Sequence, residues 1–384
     1  MRVTVNGWFW EYPATGSGQY ARRVTEALAA IEPSLELTVV LPSRAAKQSA
    51  QPPRHAAPNL RFITTATPPT VLGKLWWEQV TMPRLAQRVG ADLLHTPYWA
   101  SPALSPTLNV VTIHDIIPLV LPAYRGHAGV RLYTALVQTT AARARLAITD
   151  SEASRQDILH HLKLPPQRVR AISLAVDDIY APATAPDDCM IRHQYGIREP
   201  YILYLGGFDV RKNLSAALEA FAIAHRACPE LRLVVAGRLP QQDSAFSPDP
   251  RRLAADQRLP PQAVRFLGFI PEEHKPALYR GAQAFVYVST YEGFGYPCLE
   301  ALSCGTPVVG SDRTSLPEVV GPAGILLAPE DVDGIAGALI QLCCDAAYLQ
   351  ELRCAAEIQS RRFSWQRTAT ETLAAYHDAL NDPA

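Results

Sequence analysis

The stretch "YEGFGYPCLEALSCGTPVVGSDRTSLPEV", residues 291–319, carries two carboxylates, Glu292 and Glu300, eight positions apart. Gly293, Gly295 and Pro297 forbid one continuous helix between them, so a helix is expected to start at about Pro297 and stop at Gly305. Glu300 then falls in the first helical turn and Glu292 just outside it, while the Gly-Phe-Gly backbone lets N–H groups approach a ligand closely. Carboxylates accept hydrogen bonds from sugar and ribose hydroxyls, and two parallel ones can grip a diol. Taken singly, Glu300 also reads as an acid compensating a helix dipole and Glu292 as a solvated loop residue.

Three further groups could do chemistry. Arg211 and Lys212 follow the apolar run "YILYLGG" and stand at the start of the helical pattern "NLSAALEAFAIAH". Cations there oppose the helix dipole, a local rule broken twice that invites a compensating anion; the alternative is two solvated charges partly answered by Asp209. His114 ends the run "NVVTIH", where an imidazole is directed toward a ligand site at a strand's carboxyl end, and Asp115 either holds it in one tautomer or caps the next turn. Gly16 and Gly18, in "GSGQYA", satisfy the letter pattern of a dinucleotide-binding loop.

The elements that must position these groups decide the last point. The strand "RVTVN" ends near Asn6, and the nine residues "GWFWEYPAT" separate it from Gly16; Glu36 precedes the next strand, "LTVVL", instead of ending it. Both requirements of a dinucleotide fingerprint fail. A flexible loop remains, leading into a helix from about Gln19, and it reads either as a turn or as a loop facing a phosphate or reacting sugar.

Short β-branched runs alternate with helical patterns along the whole chain, which predicts an α/β protein of parallel sheets covered by helices on both faces. "RVTVN", "LTVVL", "LRFIT", "DLLH", "NVVTIH", "RLAITD" and "VRAIS" supply the strands of a first Rossmann-like domain, and "SEASRQDILHHL" a helix capped by Ser151. The Pro/Ala/Asp-rich "VDDIYAPATAPDDC" reads as a linker. The pattern then restarts with "YILYLGG", "LRLVVAG", "VRFLG", "AFVYVS" and "TPVVGS". The expected boundaries are 1–180 and 181–363, two domains facing each other across a cleft, with 364–384 a C-terminal helix packing back on the first.

Lys plus Arg and Asp plus Glu both number 36, so bulk charge advertises no nucleic-acid partner. Seven cysteines without a C-x-x-C pair suit a reducing compartment better than a disulfide framework or a zinc site. No H-E-x-x-H and no Asp-x-Asp at a strand end marks a metal centre. No apolar run is long enough for a membrane span, which predicts a soluble, cytoplasmic protein. The pair Trp76–Trp77 in "KLWWEQV" fits either a buried role or a peripheral contact at the inner face of the cell membrane.

The E-x7-E spacing, "GFGYPCLEA" with "GTPVV" and "LPEV", resembles the donor site of the retaining, GT-B-fold glycosyltransferases of family 4. "GSGQYARRV", "TIHDIIPL", "TDSEASRQDI", "GGFDVRKNL" and "FSWQRTATETLAAY" extend the resemblance along nearly the full length, and the "RKN" and "GFGYP" variants are most similar to bacterial mannosyltransferases and related hexosyltransferases of surface-polysaccharide assembly. The resemblance implies a nucleoside-diphosphate hexose donor, GDP-mannose favoured over UDP-hexoses, and a saccharide or lipid-linked saccharide acceptor. It implies neither cofactor nor metal. It assigns Arg211 and Lys212 to the diphosphate, Glu292 to the hexose, Glu300 to the ribose, and His114 to the sugar near the reacting centre. Gly16, Gly18, Gly207, Gly293, Phe294, Gly295 and Tyr296 complete the substrate-binding set. Many relatives carry an arginine where Phe208 stands, so Arg211 is expected to take over its task. A noncatalytic nucleotide-sugar sensor and a nicotinamide oxidoreductase are the competing readings.

Overall fold

The computed structural model of the 384-residue chain describes residues 1–12, 15–43, 57–68, 70–99, 101–126 and 128–381. It divides into two compact units, Met1–Leu174 with Ser364–Ala384, and Ala175–Phe363.

Among the described residues the first unit holds seven strands: β1 (Arg2–Asn6), β2 (Glu36–Ser43), β3 (Leu60–Ala66), β4 (Leu93–Thr96), β5 (Leu108–Thr112), β6 (Leu146–Thr149) and β7 (Val169–Ala171). They form one parallel sheet in the order β3-β2-β1-β4-β5-β6-β7. Every residue of β4 and β6 is buried. Such uninterrupted burial means that both faces are covered, which is why these strands read as apolar runs without alternation. The strand order reverses between β1 and β4, and a crevice opens at such a reversal, outside the carboxyl ends of the strands.

The helix Gly16–Ile31 begins three residues earlier than the sequence suggests, capped by Thr15, whose Oγ1 accepts from the Gly18 amide at 3.2 Å. Gly16 and Gly18 therefore lie inside its first turn and not in a loop ahead of it. A Cβ on Gly18 would sit 2.0 Å from the Tyr12 carbonyl oxygen, so this glycine lets the helix start pack on the preceding backbone. Pro13 and Ala14 of the expected loop lie outside the described residues. Glu36 is exposed and opens β2 opposite Arg2, at the amino edge of the sheet.

The last helix, Trp365–Asn381, has no strand of its own and packs beside Gly16–Ile31. Thr368 Oγ1 donates to the Ser173 carbonyl at 2.7 Å, and Tyr376 is fully buried. The tryptophan pair splits: Trp77 is buried with Nε1 donating to Thr65 Oγ1 at 2.7 Å, whereas Trp76 is 61% exposed beside Val71 (80%) and Leu72 (77%).

The second unit holds β8 (Tyr201–Leu205), β9 (Arg232–Ala236), β10 (Val264–Gly268), β11 (Ala284–Tyr287), β12 (Val308–Ser311) and β13 (Gly324–Leu327). The parallel order is β10-β9-β8-β11-β12-β13, so the reversal falls between β8 and β11. Sequence reading missed β13, a four-residue edge strand between Pro322 and Pro329 whose residues are only half-buried. It also missed the helix Asp188–Gln194, where the linker composition ran on into a regular element.

Candidate active site

In the second unit the chemistry gathers where β8 and β11 release the chain. After β8 come Gly206 and Gly207, then Phe208, Asp209 and the tight turn Val210–Lys212, and the helix Leu214–Ala227 follows. Asn213 closes the turn in the left-handed region, φ 51°, and its Nδ2 donates to the carbonyls of Val288 at 3.3 Å and Pro329 at 2.8 Å. That clamp fixes Arg211 and Lys212 against the segment after β11. Arg211 Nη1 lies 2.8 Å from Glu292 Oε1 and donates to the Tyr291 carbonyl at 2.7 Å. Lys212 Nζ lies 2.7 Å from the same carboxylate oxygen, donates to the Tyr287 hydroxyl, and sits 4.9 Å from that ring's centroid.

Two cations thus converge on one carboxylate whose side chain is only 10% exposed. The alternative of two solvated charges partly answered by Asp209 does not describe the site: Asp209 Oδ1 stands 3.6 Å from Arg211 Nε, but Glu292 is the closer anion for both. The anion that the two misplaced cations invite is supplied by the chain itself. Burial alone would raise the Glu292 pKa; Lys212 and then Arg211 outweigh it and hold the group at about 2. Burial would likewise weaken the charge on Arg211, yet Glu292 and Asp209 hold its pKa above the ordinary arginine value.

Glu300 sits elsewhere. The helix runs Tyr296–Ser303 with Gly295 before it at φ 106°, so Glu300 is its fifth residue, in the second turn and not the first. Its Oε2 accepts from the Tyr279 hydroxyl at 2.8 Å, and its Oε1 lies 3.9 Å from Lys275 Nζ, which pairs with Glu272 at 2.6 Å. Burial raises its pKa, against the pull of Lys275. The two glutamates are therefore not a matched pair gripping one diol; each faces its own partners. Phe294 is 5% exposed and packs edge-on against Phe363 and Tyr296, so what it has left to offer a ligand is backbone. At Gly295 the positive φ and a Cβ that would meet Leu316 Cδ2 at 2.6 Å both demand glycine. Gly207 accepts at its carbonyl from the Tyr204 hydroxyl at 2.6 Å, and Phe208 is buried, stacked on the Tyr204 ring.

In the first unit His114 lies two residues past the end of β5, and Asp150 directly follows β6. Thr112 pairs with Ile148 in the β5/β6 register, and two steps further along both chains His114 meets Asp150, Nδ1 to Oδ2 at 2.8 Å. Asp150 was not singled out from sequence. The tautomer-holding role offered to Asp115 belongs to it instead, because Asp115 Oδ1 accepts from the Ile117 amide at 3.0 Å, the capping alternative. Burial pulls the His114 pKa down, but Asp150 foremost, with Asp115, leaves it raised. An Nδ1–H held by a carboxylate makes Nε2 the acceptor of the neutral ring, and Nε2 is buried, with the Pro97 backbone also contributing to the raised pKa.

Behind His114 runs a buried uncharged chain. Tyr376 hydroxyl hydrogen-bonds His95 Nδ1 at 2.7 Å, His95 Nε2 meets Thr112 Oγ1 at 2.9 Å, and Thr112 Oγ1 meets the Tyr20 hydroxyl at 3.0 Å. The Tyr20 ring stands edge-on to the His114 ring, centroids 5.0 Å apart. This couples the helix Gly16–Ile31 to the imidazole. Beyond β1 and β4, Glu78 is 1% exposed and accepts from the Tyr98 hydroxyl at 2.9 Å; Lys74 lies 3.5 Å from it among the rings of Trp8, Phe9 and Tyr98. Glu78 belongs to a π-helical segment, Trp77–Thr81, an irregularity frequent at functional sites. Nothing in its sequence neighbourhood separates it from a surface acid.

Known proteins place this arrangement. Residues 190–359 match the model for glycosyl transferases group 1, and residues 14–179 that for glycosyltransferase family 4. The O-antigen chain mannosyltransferase B of Escherichia coli is 34% identical over 70% of this chain and 69% of its own length. The serotype-specific mannosyltransferase WbdA of Escherichia coli is 31% identical over 69% of this chain, a match that spans only 32% of that protein. Among solved structures, sucrose-phosphate synthase from Thermosynechococcus elongatus superposes with TM-score 0.74 at 23% identity, covering 98% of each chain. Anabaena HepE, solved with UDP and glucose, superposes with TM-score 0.73 at 18% identity, covering 98% of this chain and 99% of its own. With two parallel-sheet Rossmann-like units, both family models and a relative of this identity, the chain belongs to the group 1 glycosyltransferases and has the GT-B fold.

Proposed function

We propose that this glycosyltransferase moves mannose, with retention, from GDP-mannose to a hydroxyl of a saccharide or lipid-linked saccharide in bacterial surface-polysaccharide assembly. The observation that carries this reading is the Arg211–Lys212–Glu292 cluster at the carboxyl ends of β8 and β11, where a fold of this kind receives its ligand. A diphosphate arriving there meets two cations paired to Glu292, and both favour its departure as the anomeric carbon gains oxocarbenium character. Glu292 bonds the hexose on the side facing away from the cations. Glu300 takes the ribose through the oxygen that does not accept from Tyr279. The amides of Gly293, Gly295 and Tyr296, with the backbone at Gly207 and the helix start at Gly16 and Gly18, complete the donor contacts.

His114 accepts a hydrogen bond at Nε2 from a sugar hydroxyl and orients it beside the reacting carbon, with Asp150 fixing the ring. The aromatic and Lys74–Glu78 group beyond β1 and β4 receives the acceptor. Two cations in place of a metal make the transfer independent of divalent ions. The choice of mannose is supported by the Escherichia coli mannosyltransferases at 34% and 31% identity. Among the described residues no single helix is long and apolar enough to cross a membrane, and exposed Val71, Leu72 and Trp76 suit a cytoplasmic enzyme touching the inner membrane face.

A thermal-shift panel of GDP-mannose, UDP-glucose and NADH, followed by transfer assays with and without EDTA, tests the reading. Stabilisation by GDP-mannose of roughly 2.7 kcal/mol at 100 times its dissociation constant, with turnover that EDTA leaves intact, is expected. Stabilisation by UDP-glucose alone would replace the donor, and turnover restored only by magnesium would end metal independence.

A further inference from the structure

Three thiols that are distant in sequence meet at the edge of the second unit away from the reacting groups. Cys228 caps the carboxyl end of the helix Leu214–Ala227, and Cys343 and Cys344 are the last residues of the helix Val332–Cys344 packed beside it. All three sulfur atoms lie within 4.8 Å of one another, Cys228 Sγ to Cys344 Sγ being 3.6 Å. The first helix starts just after Lys212, so its 14 residues carry the trio roughly 20 Å from the cation pair at a rise of 1.5 Å per residue. Cys228 and Cys343 are half-buried and Cys344 is exposed, which leaves an entry path.

We propose that Cys228, Cys343 and Cys344 form a zinc-binding site that clamps the carboxyl ends of these two helices together. Zinc–sulfur bonds of about 2.3 Å at tetrahedral angles put sulfur atoms roughly 3.8 Å apart, close to the spacing already present. Thiolate donors select a soft or borderline ion over magnesium or calcium. Two helices present their carbonyl ends at the trio, and the negative ends of their dipoles favour a cation there. Three thiols lose three protons as one Zn²⁺ binds, giving a site of net charge −1 with one position left for water. Nothing is oxidised or reduced. The site is independent of the transfer reaction.

The metal-free full-length chain, reduced and handled without oxygen, is titrated with Zn²⁺ against a chromophoric chelator. One equivalent is expected to bind roughly 100-fold more tightly than to the C228S/C343S/C344S variant. Co²⁺ in place of zinc should give a near-ultraviolet thiolate charge-transfer band that the variant lacks, and zinc should raise the melting temperature of the wild type alone. The C189S/C354S control keeps the site. If the triple variant does not fold, C344S, changed at an exposed position, must show the same loss of affinity and of the charge-transfer band. Equal affinity in wild type and variant, a cobalt spectrum without the thiolate band, or air oxidation to a Cys228–Cys344 disulfide without zinc uptake by the reduced chain overturns the proposal.

Discussion

The two units are built alike, each a parallel sheet with one reversal of strand order, yet they furnish their carboxyl ends differently. In the first, a buried chain that stays neutral runs beside the His114–Asp150 pair. His95, wholly buried, is pushed down to about 3 by desolvation and by the neighbouring His114, so it stays an uncharged link between Tyr376 and Thr112. In the second, the same end of the sheet holds two cations and one anion with little solvent. A neutral hydrogen-bonded chain fixes geometry and has little stake in a ligand's charge. A buried ion cluster is costly unless paired, and an incoming anion competes for its cations. Under the proposed function, the neutral chain suits positioning and the cation pair suits a charged leaving group.

The contrast breaks most sharply at Glu292. Glu292→Ala leaves Arg211 and Lys212 buried without their shared anion, and should destabilise the second unit by about 3–5 kcal/mol in denaturant titrations, besides abolishing donor turnover. A loss below about 1 kcal/mol would mean that the cluster is solvated like a surface pair. The pH dependence has a definite sign. The folded pKa of Glu292, about 2, is depressed from 4.5, so its contribution is complete above pH 4.5 and is lost as pH falls toward 2. The Glu292→Ala variant should lack that acid-side loss.

Lys212→Ala comes next. Arg211 still answers Glu292 in this variant, so stability should fall less than for Glu292→Ala, while turnover falls by roughly 10²–10³ because the leaving diphosphate loses a charge. Turnover within twofold of wild type removes Lys212 from the mechanism. Smaller again is Asp150→Asn. Asp150 holds the His114 pKa up, so its removal lets burial pull the pKa down, and the limb of kcat that rises as the ring becomes neutral should move to lower pH. A limb that does not move shows that His114 does not titrate in the rate. Least disruptive is Tyr376→Phe, which removes one link of the neutral chain; a loss of about 1 kcal/mol is expected, with the affinity for nucleoside diphosphate untouched.

Much of this was legible because it is local. Apolar runs of four to eight residues bounded by turns named twelve of the thirteen strands among the described residues, the exception being the short edge strand β13. Ser151 was readable as a cap, and Ser154 donates to its Oγ at 3.1 Å. The failure of the dinucleotide fingerprint could be derived from chain spacing, and Glu36 does open its strand at the amino edge. Arg211 and Lys212 stood out because they broke a local rule, His114 because it ended a strand, and Glu292 and Glu300 only together, through their spacing in one motif.

Which of them meet was not written locally. The sequence by itself determined the alternation of strands and helices, the chain positions of the charged groups, and through its motifs the family. Only the tertiary structure decided that Glu292 answers both cations, that Glu300 faces Tyr279 and Lys275, that Asp150 and not Asp115 holds His114, and that three cysteines up to 116 positions apart share one corner. The reason is physical. Secondary structure follows from periodicities within a few residues, whereas a partner for a buried charge is chosen by strand order and register, and these bring together residues that no window along the chain contains.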